Sequence, residues 1–367
     1  MWHRGFSTKR EAQKYLNELL HKIEIGTYVA PSKITLADFL KQWLNDYAKV
    51  NTAPKTYQGY ERIIRQHLIP KLGNMKMDQL KPIHIQQYYT NRLTEGRIDG
   101  SGGLSNRSVL HHHRLLHKAL EDAVKWQIIA INPAKAVNSP KDQKKKVNVL
   151  TKEQVHALLQ YVKSHKYYAP IYLAIKTGMR RGEILGIRWE DVDFEKYTIS
   201  VNQQIQRLKK QGVVFKPTTK NNGSRRTIAI SESVASVLKR QINIRKRDRL
   251  KFGILYHDHQ LIFANEDGSP IDPDAISREF PRIIRRIEDF PKVRFHDLRH
   301  THATLLLQQG EHPKIVSERL GHATISMTMD TYSHVMPNMQ KAAAKKFDDF
   351  LFGNENDEKS DQKKQIN

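Results

Sequence analysis

The chain has 367 residues, enough for two or three domains with separate cores, and 62 Lys and Arg against 38 Asp and Glu leave a formal charge of +24. It contains no cysteine, which excludes disulfides, thiolate chemistry and cysteine zinc sites. No apolar run approaches the roughly 18 residues of a membrane span and no signal-peptide core opens the chain, so the expectation is a soluble, cytoplasmic protein.

Positive charge spread along the whole length suits a polyanion, because Lys and Arg that neutralise phosphates release condensed counterions. A merely soluble basic protein has the same balance, so charge alone points to nucleic acid without deciding it.

In chain order, residues 1–30 read as a short strand from Met1 to Phe6 and a helix capped by Ser7, with an apolar stripe of Ala12, Leu16, Leu19, Leu20 and Ile23. That is too little for a core. Residues 31–138 read as a helical module. Thr35 caps its first helix, with Asp38 three residues on and Leu36, Phe39, Leu40, Trp43, Leu44 and Tyr47 recurring at helical spacing. Pro54 and Thr56 open a second helix, closed by the stretch from Pro70 to Gly73; a third follows Pro82 and a fourth follows Ser105, and the module ends near Asn132-Pro133. Gly100 to Gly103 form a loop within it. The run His111-His112-His113, with His117, reads as a DNA-facing or solvated surface rather than a metal-ligand set.

Residues 139–149 form a basic linker carrying Lys141, Lys144, Lys145 and Lys146; such a run is either a solvated segment or one that lies along a phosphate backbone. Beyond it Thr151 and Gln154 make a capping box, and helices continue to Trp189. Strands are expected around 197–204, 213–215 and 226–230, turning at Asn221-Asn222-Gly223. The rest reads as helical apart from the apolar run Leu261 to Phe263, with an amphipathic stretch from Ala342 to Leu351 and a polar, disordered tail over 353–367.

Two distant segments hold residues suited to phosphate chemistry. In Thr177-Gly178-Met179-Arg180-Arg181-Gly182-Glu183, Gly178 ends a helix and Arg180 projects from the following turn, although an Arg–Glu pair at this spacing is ordinarily a surface ion pair. In His296-Asp297-Leu298-Arg299-His300-Thr301-His302-Ala303-Thr304, His296 and Arg299 share a helical face and can both donate to one phosphate. His296 and His300 stand at i, i+4, but no Glu follows as in H-E-x-x-H, which argues against a metal. Leu320-Gly321-His322 and Asp330-Thr331-Tyr332-Ser333-His334-Val335 come after. Tyr332 is one of 14 tyrosines and taken alone would be a packing residue.

The TGMRRGE, HDLRHTHAT, LGH and DTYSHV stretches, in this order and spacing, resemble the signature boxes of the tyrosine recombinase (phage integrase) family. The likeness is strong over 150–350 and moderate over 35–133. It implies a mainly α fold with a small antiparallel β-sheet: a helical, SAM-like core-binding domain at 31–138 and an α+β catalytic domain at 150–352, clamping together on double-stranded DNA. Residues 1–30 resemble the last strand and helix of an arm-type DNA-binding domain, which implies a mobile-element integrase with a truncated N-terminus.

The resemblance assigns the nucleophile to Tyr332, the catalytic arginines to Arg180 and Arg299, and the catalytic histidines to His296 and His322. The lysine falls on Lys220, ahead of Ser224-Arg225-Arg226-Thr227-Ile228, with Lys216 as competitor; Glu183 supports the arginine turn. No metal or other cofactor is implied. Partners implied are a homotetramer of this chain and accessory proteins of two kinds, an excisionase and a host DNA-bending protein. The alternatives are a catalytically silent DNA-binding relative, a Xer-type chromosome or plasmid resolvase, and a metal-dependent nuclease.

The residue types suit such a role without the family. Arginines stay charged and donate in a fixed fork to the growing charge of a phosphodiester under attack. A tyrosine with an ordinary pKa of about 10 needs a base or a positive field, and histidines exchange protons near neutrality.

Overall fold

Thr35 sets the first helix of the helical module where the sequence places it: its hydroxyl accepts from the Asp38 N–H at 3.2 Å and opens Leu36–Trp43. The structure, a computed structural model, describes residues 6–24, 28, 33–142, 148–217, 225–332, 344–345 and 347–351. The expected strand from Met1, Lys144 to Lys146, Lys220, the Asn221-Asn222-Gly223 turn and the polar tail lie outside the described residues. The chain divides into two units, Met1–Lys145 and Lys146–Asn367.

In the first unit Lys9–Glu24 is helical, but its cap is Thr8 rather than Ser7. The Thr8 hydroxyl accepts from the Glu11 N–H at 3.2 Å, while the Ser7 N–H donates to the Glu11 carboxylate at 3.0 Å. Of its apolar stripe Leu16, Leu20 and Ile23 are exposed, and Ala12 and Leu19 partly buried.

Leu36–Trp43 runs on through a π turn, Leu44–Ala48, into Lys49–Asn51. The second helix passes from Pro54–Ile63 through a second π turn, Ile64–Leu68, to Ile69–Leu72, and ends at Gly73. Pro70 has no N–H for the carbonyl four residues back, and the widened turn immediately precedes it. Pro82–Glu95 and Asn106–Lys125 complete the bundle, the latter capped by Ser105.

Trp43 is the largest side chain of this core and is fully buried; its indole Nε1–H donates to Asp122 Oδ2 at 2.9 Å. Lys118 Nζ bonds the other oxygen at 2.8 Å, so the buried carboxylate is satisfied on both sides. The histidine run departs from the expected surface role. His112 is buried and bonds the Tyr88 hydroxyl, and half-buried His113 bonds that of Tyr89, each at 2.9 Å, because a helix of this pitch turns part of any three-residue run inward.

The second unit opens at Lys152–Tyr161, with Thr151 and Gln154 forming the expected capping box. Tyr168–Thr177 and Arg181–Leu185 follow. The strands differ from expectation. The stretch around 197–204 is two strands in two sheets. β1 (Val192–Asp193), β2 (Thr198–Ser200) and β5 (Thr227–Ala229) form one antiparallel sheet, in the order β1-β2-β5. β3 (Gln203–Leu208) and β4 (Gly212–Pro217) form a separate hairpin.

The chain changes sheets at Asn202, whose side chain donates to Asp191. The β3–β4 hairpin turns at Lys209-Lys210-Gln211, with Lys210 at φ 72 and Gly212 at φ 75, so a turn signal other than Asn-Gly sets its register of Leu208 opposite Gly212.

Glu232–Phe252, Pro273–Ile284, Asp297–Gln308, Pro313–Leu320 and Ile325–Tyr332 supply the remaining long helices among the described residues. A large core runs from Leu150 to Leu298. A smaller cluster of Ala303, Leu307, Val316, Leu320 and Tyr332 sits beside the last three helices.

Asp122→Ala removes the acceptor of a buried indole N–H, and should cost about 1–3 kcal/mol in urea denaturation followed by tryptophan fluorescence. Asp122→Asn keeps an acceptor and should recover part of that loss; equal midpoints for wild type and Asp122→Ala would show that the bond contributes nothing.

Candidate active site

The Tyr168–Thr177 helix stops at Gly178, whose φ of 65 is left-handed. Glycine is required twice over, since a Cβ here would lie 2.6 Å from His302 Cδ2 and 2.7 Å from Leu320 Cδ2. The chain leaves this stop in an extended conformation at Arg180, which is the N-cap of Arg181–Leu185. Gly182 lets that short helix sit directly on β3, because a Cβ there would meet the Ile205 carbonyl at 2.5 Å.

Glu183 fixes the arginine turn. Its Oε2 accepts from the Arg180 backbone N–H at 2.9 Å and its Oε1 from Arg180 Nη1 at 2.7 Å. Arg180 Nη2 reaches the Gly321 carbonyl at 3.1 Å, beside His322. The same carboxylate accepts from Arg226 Nη2 at 2.8 Å, and Arg226 Nε donates to the Arg319 carbonyl. Glu183 is 3% exposed, so this is no surface ion pair. Burial opposes its ionisation, but the hydrogen bond and charge of Arg226, with the charge of Arg180, hold its pKa below the usual carboxylate range.

Arg299 is also buried, and its Nη1 donates to the Gly178 carbonyl at 2.8 Å. Among the described residues no ion pair joins it to a carboxylate. Burial, then the charge of Arg180, push its pKa down to about 9. A guanidinium held this way favours an anion beside it.

Tyr332 ends the Ile325–Tyr332 helix and is 2% exposed. Burial pushes its phenol up to about 12, against the opposing field of Arg299. Its hydroxyl is 2.6 Å from His300 Nδ1. His322 Nδ1 is 2.8 Å from the Thr328 hydroxyl, and burial, Arg299 and Arg180 lower its pKa to about 4. His296 reaches the surface at the helix start; crowding by the protein around it, then Arg299, lower its pKa as well. His302 bonds the Ile175 carbonyl through Nδ1 and accepts from Arg319 Nε, which ties the Asp297–Gln308 helix to Tyr168–Thr177 and Pro313–Leu320.

Buried Arg299, partly exposed Arg180, buried Tyr332 and three imidazoles therefore converge on one face of the second unit. Residues 148–339 match the model of the phage integrase family, and residues 35–93 match its N-terminal SAM-like domain. A relative described as "Tyrosine recombinase XerC-like", from Caldanaerobacter subterraneus subsp. tengcongensis, is 30% identical over 363 residues, covering 94% of this chain and 90% of the relative. The chain is a tyrosine recombinase of the phage integrase family.

The ICEBs1 integrase of Bacillus subtilis is also 30% identical, over 94% of this chain and 91% of its own length. The fold is that of the Tn1549 transposon integrase in complex with circular intermediate DNA, with a TM-score of 0.73 at 23% identity over 86% of this chain and all of that one. It is shared with a lambda integrase tetramer bound to a Holliday junction, at TM-score 0.59 and 18% identity, over 90% of this chain and 88% of that one.

In this recombinase Arg180, Glu183, His296, Arg299, His322 and Tyr332 lie near one another on the second unit. Lys220 lies outside the described residues, and Lys216 is on β4 opposite Gln204. Sequence reasoning assigned no role to Arg226, which shares Glu183, or to His300, which bonds Tyr332. Arg226 stands within the Ser224-to-Ile228 stretch, so its place was visible but its partner was not. His300 was weighed only as a metal-ligand candidate with His296.

Because the folded pKa of Glu183 is depressed, its contribution to stability is present above the unfolded value of about 4.3 and is lost as pH falls through the folded value. Glu183→Gln should be less stable than wild type at neutral pH. Thermal melts from pH 7 downward should show that gap closing in acid; a constant gap would show that charge is not what Glu183 contributes.

Proposed function

We propose that this recombinase cuts and rejoins DNA at specific sites through a covalent 3′-phosphotyrosine at Tyr332, integrating and excising a mobile element. The observation that carries the reading is a surplus of positive charge beside that phenol. Three guanidiniums, of Arg180, Arg226 and Arg299, have one carboxylate, Glu183, among them. An unneutralised cationic pocket suits a phosphodiester, whose charge on the non-bridging oxygens grows as a nucleophile adds.

In this reading Arg180 and Arg299 donate to the non-bridging oxygens, and His296 and His322 contribute hydrogen bonds and proton exchange around the same phosphate. The Tyr332 oxygen attacks phosphorus and displaces the 5′ oxygen. Lys220, ahead of the Ser224-to-Ile228 stretch, gives the leaving oxygen its proton. Bond energy stays in the phosphotyrosine, so the reverse attack by a 5′-hydroxyl rejoins strands without ATP. No step needs a metal or other cofactor.

Double-stranded DNA is the proposed partner of both units. The helical unit carries an open groove of about 770 Å³ whose lining includes Arg62, Arg97, Arg114 and His111, with Asp99 as an acidic member. Such a lining suits a phosphate backbone. A homotetramer on two duplexes is the proposed active assembly, with an excisionase and a host DNA-bending protein as accessory partners. Phe347, Phe350 and Leu351, which are helical and exposed, supply an apolar face for a neighbouring copy. Likeness to the ICEBs1 integrase, along 94% of the chain, supports a mobile element over a chromosome resolvase.

A nicked DNA site that traps the cleaved strand tests the chemistry. Wild type should form a covalent protein–DNA adduct in EDTA and Tyr332→Phe should form none; an adduct in the mutant sinks the assignment. Arg299→Ala should lower the adduct rate by roughly 10²–10³-fold. Deleting residues 337–367 should spare DNA binding in gel shifts and abolish recombination; undiminished recombination would refute the docking role.

A further inference from the structure

The proton on Tyr332 has to go somewhere, and among the described residues one acceptor is in contact with it. Burial keeps the phenol protonated at neutral pH, and the attacking oxygen must shed that proton as its bond to phosphorus forms. His296, at the surface, and His322, engaged with Thr328, have no hydrogen bond to Tyr332 among those described. His300 Nδ1 stands 2.6 Å from the Tyr332 hydroxyl, one helical turn beyond His296 on the Asp297–Gln308 helix.

We propose that His300 is the general base that takes the Tyr332 proton during strand cleavage and returns it during religation. The assignment rests on Tyr332 being the nucleophile. It requires the tautomer with hydrogen on Nε2, so that the phenol donates and Nδ1 accepts. The step balances: the Tyr332 O–H bond breaks, its proton goes to His300 Nδ1, the O–P bond forms, and the bond from phosphorus to the 5′ oxygen breaks. That oxygen leaves with a proton from the general acid. Religation runs the same transfers backward.

The surroundings of His300 make the transfer conditional on DNA. Burial, then the charges of His296, Arg299 and Arg294, push its pKa down to about 4, with Asp297 opposing them. His322 and the Tyr332 phenol face it from the segments packed beside its helix. The imidazole is therefore neutral and open to a proton at pH 7. A phosphate bound by Arg180 and Arg299 cancels part of the positive field that depresses it. A bound phosphate thus offsets the Arg299 contribution to the lowered basicity of His300, while that of burial remains. His296, edge-on with ring centroids 5.1 Å apart, stands beside it as the surface-reaching imidazole.

The experiment compares wild type, Tyr332→Phe, His300→Ala and His300→Gln on the nicked DNA site, with adduct formation timed from pH 6 to pH 9. His300→Gln keeps a hydrogen-bonding group at the phenol but cannot take its proton, so it guards against a loss that merely reflects misfolding. Both His300 variants should bind DNA as wild type does, yet form adduct about 10²–10⁴-fold more slowly at neutral pH, with the deficit shrinking as pH rises. Added imidazole should restore part of the rate of His300→Ala, in proportion to its neutral form.

Wild-type rates in either variant overturn the proposal. So does a deficit that is equal at every pH and unmoved by imidazole. An adduct in Tyr332→Phe would instead sink the nucleophile assignment, a distinct outcome.

Discussion

A single buried carboxylate organises the catalytic unit. Glu183 is held by the Arg180 backbone and guanidinium on one side and by Arg226 on the other. Burying an unpaired carboxylate would be costly, and burying unpaired guanidiniums equally so; each is tolerable because the other is there. That mutual dependence pins three segments together: the turn after Gly178, the segment entering β5 through Arg226, and the Leu320-Gly321 corner whose carbonyl Arg180 reaches. Arg299 stands just outside this neutralised set. It is buried, held only by a backbone carbonyl among the hydrogen bonds described, and surplus in charge. The site is thus rigid where it needs support and electrostatically unfinished where an anion would complete it.

Packing, rather than polarity, places the tyrosine. Tyr332 belongs to the small apolar cluster with Ala303, Leu307, Val316 and Leu320, so its ring is anchored by helices that also carry Arg299 and lead into His322. Its hydroxyl is left at the polar end of that cluster, against His300. The same burial that positions the ring raises the pKa of the phenol, against the field of Arg299.

The helical unit follows the same rule with different residues. Its fully buried Trp43 donates to Asp122, and Lys118 answers the remaining carboxylate oxygen. His112 is drawn into the interior by helical pitch and answered by Tyr88. These buried polar groups have partners, while Arg62, Arg97 and Arg114 line an open groove.

Much of the architecture was legible in one sequence because it is local. Caps at Thr35, Ser105 and Thr151, helix starts at Pro54 and Pro82 and the stop at Gly178 depend on groups a few residues apart, so residue type and spacing suffice. Arg180, His296, Arg299, His322 and Tyr332 were marked by the resemblance of their boxes to the tyrosine recombinase family. What spacing could not carry was partnership across the chain. The split of the expected strand at Asn202 depends on Asp191, Arg226 reaches back to Glu183, and His300 meets a tyrosine 32 residues later. Whether Glu183 was a solvated ion pair or a buried clamp could not be read either, because burial is set by the distant segments that close over it. The sequence determined the helices, the boxes and the chemical types; tertiary structure alone decided which polar groups meet, because desolvation energy depends on neighbours in space and not in sequence.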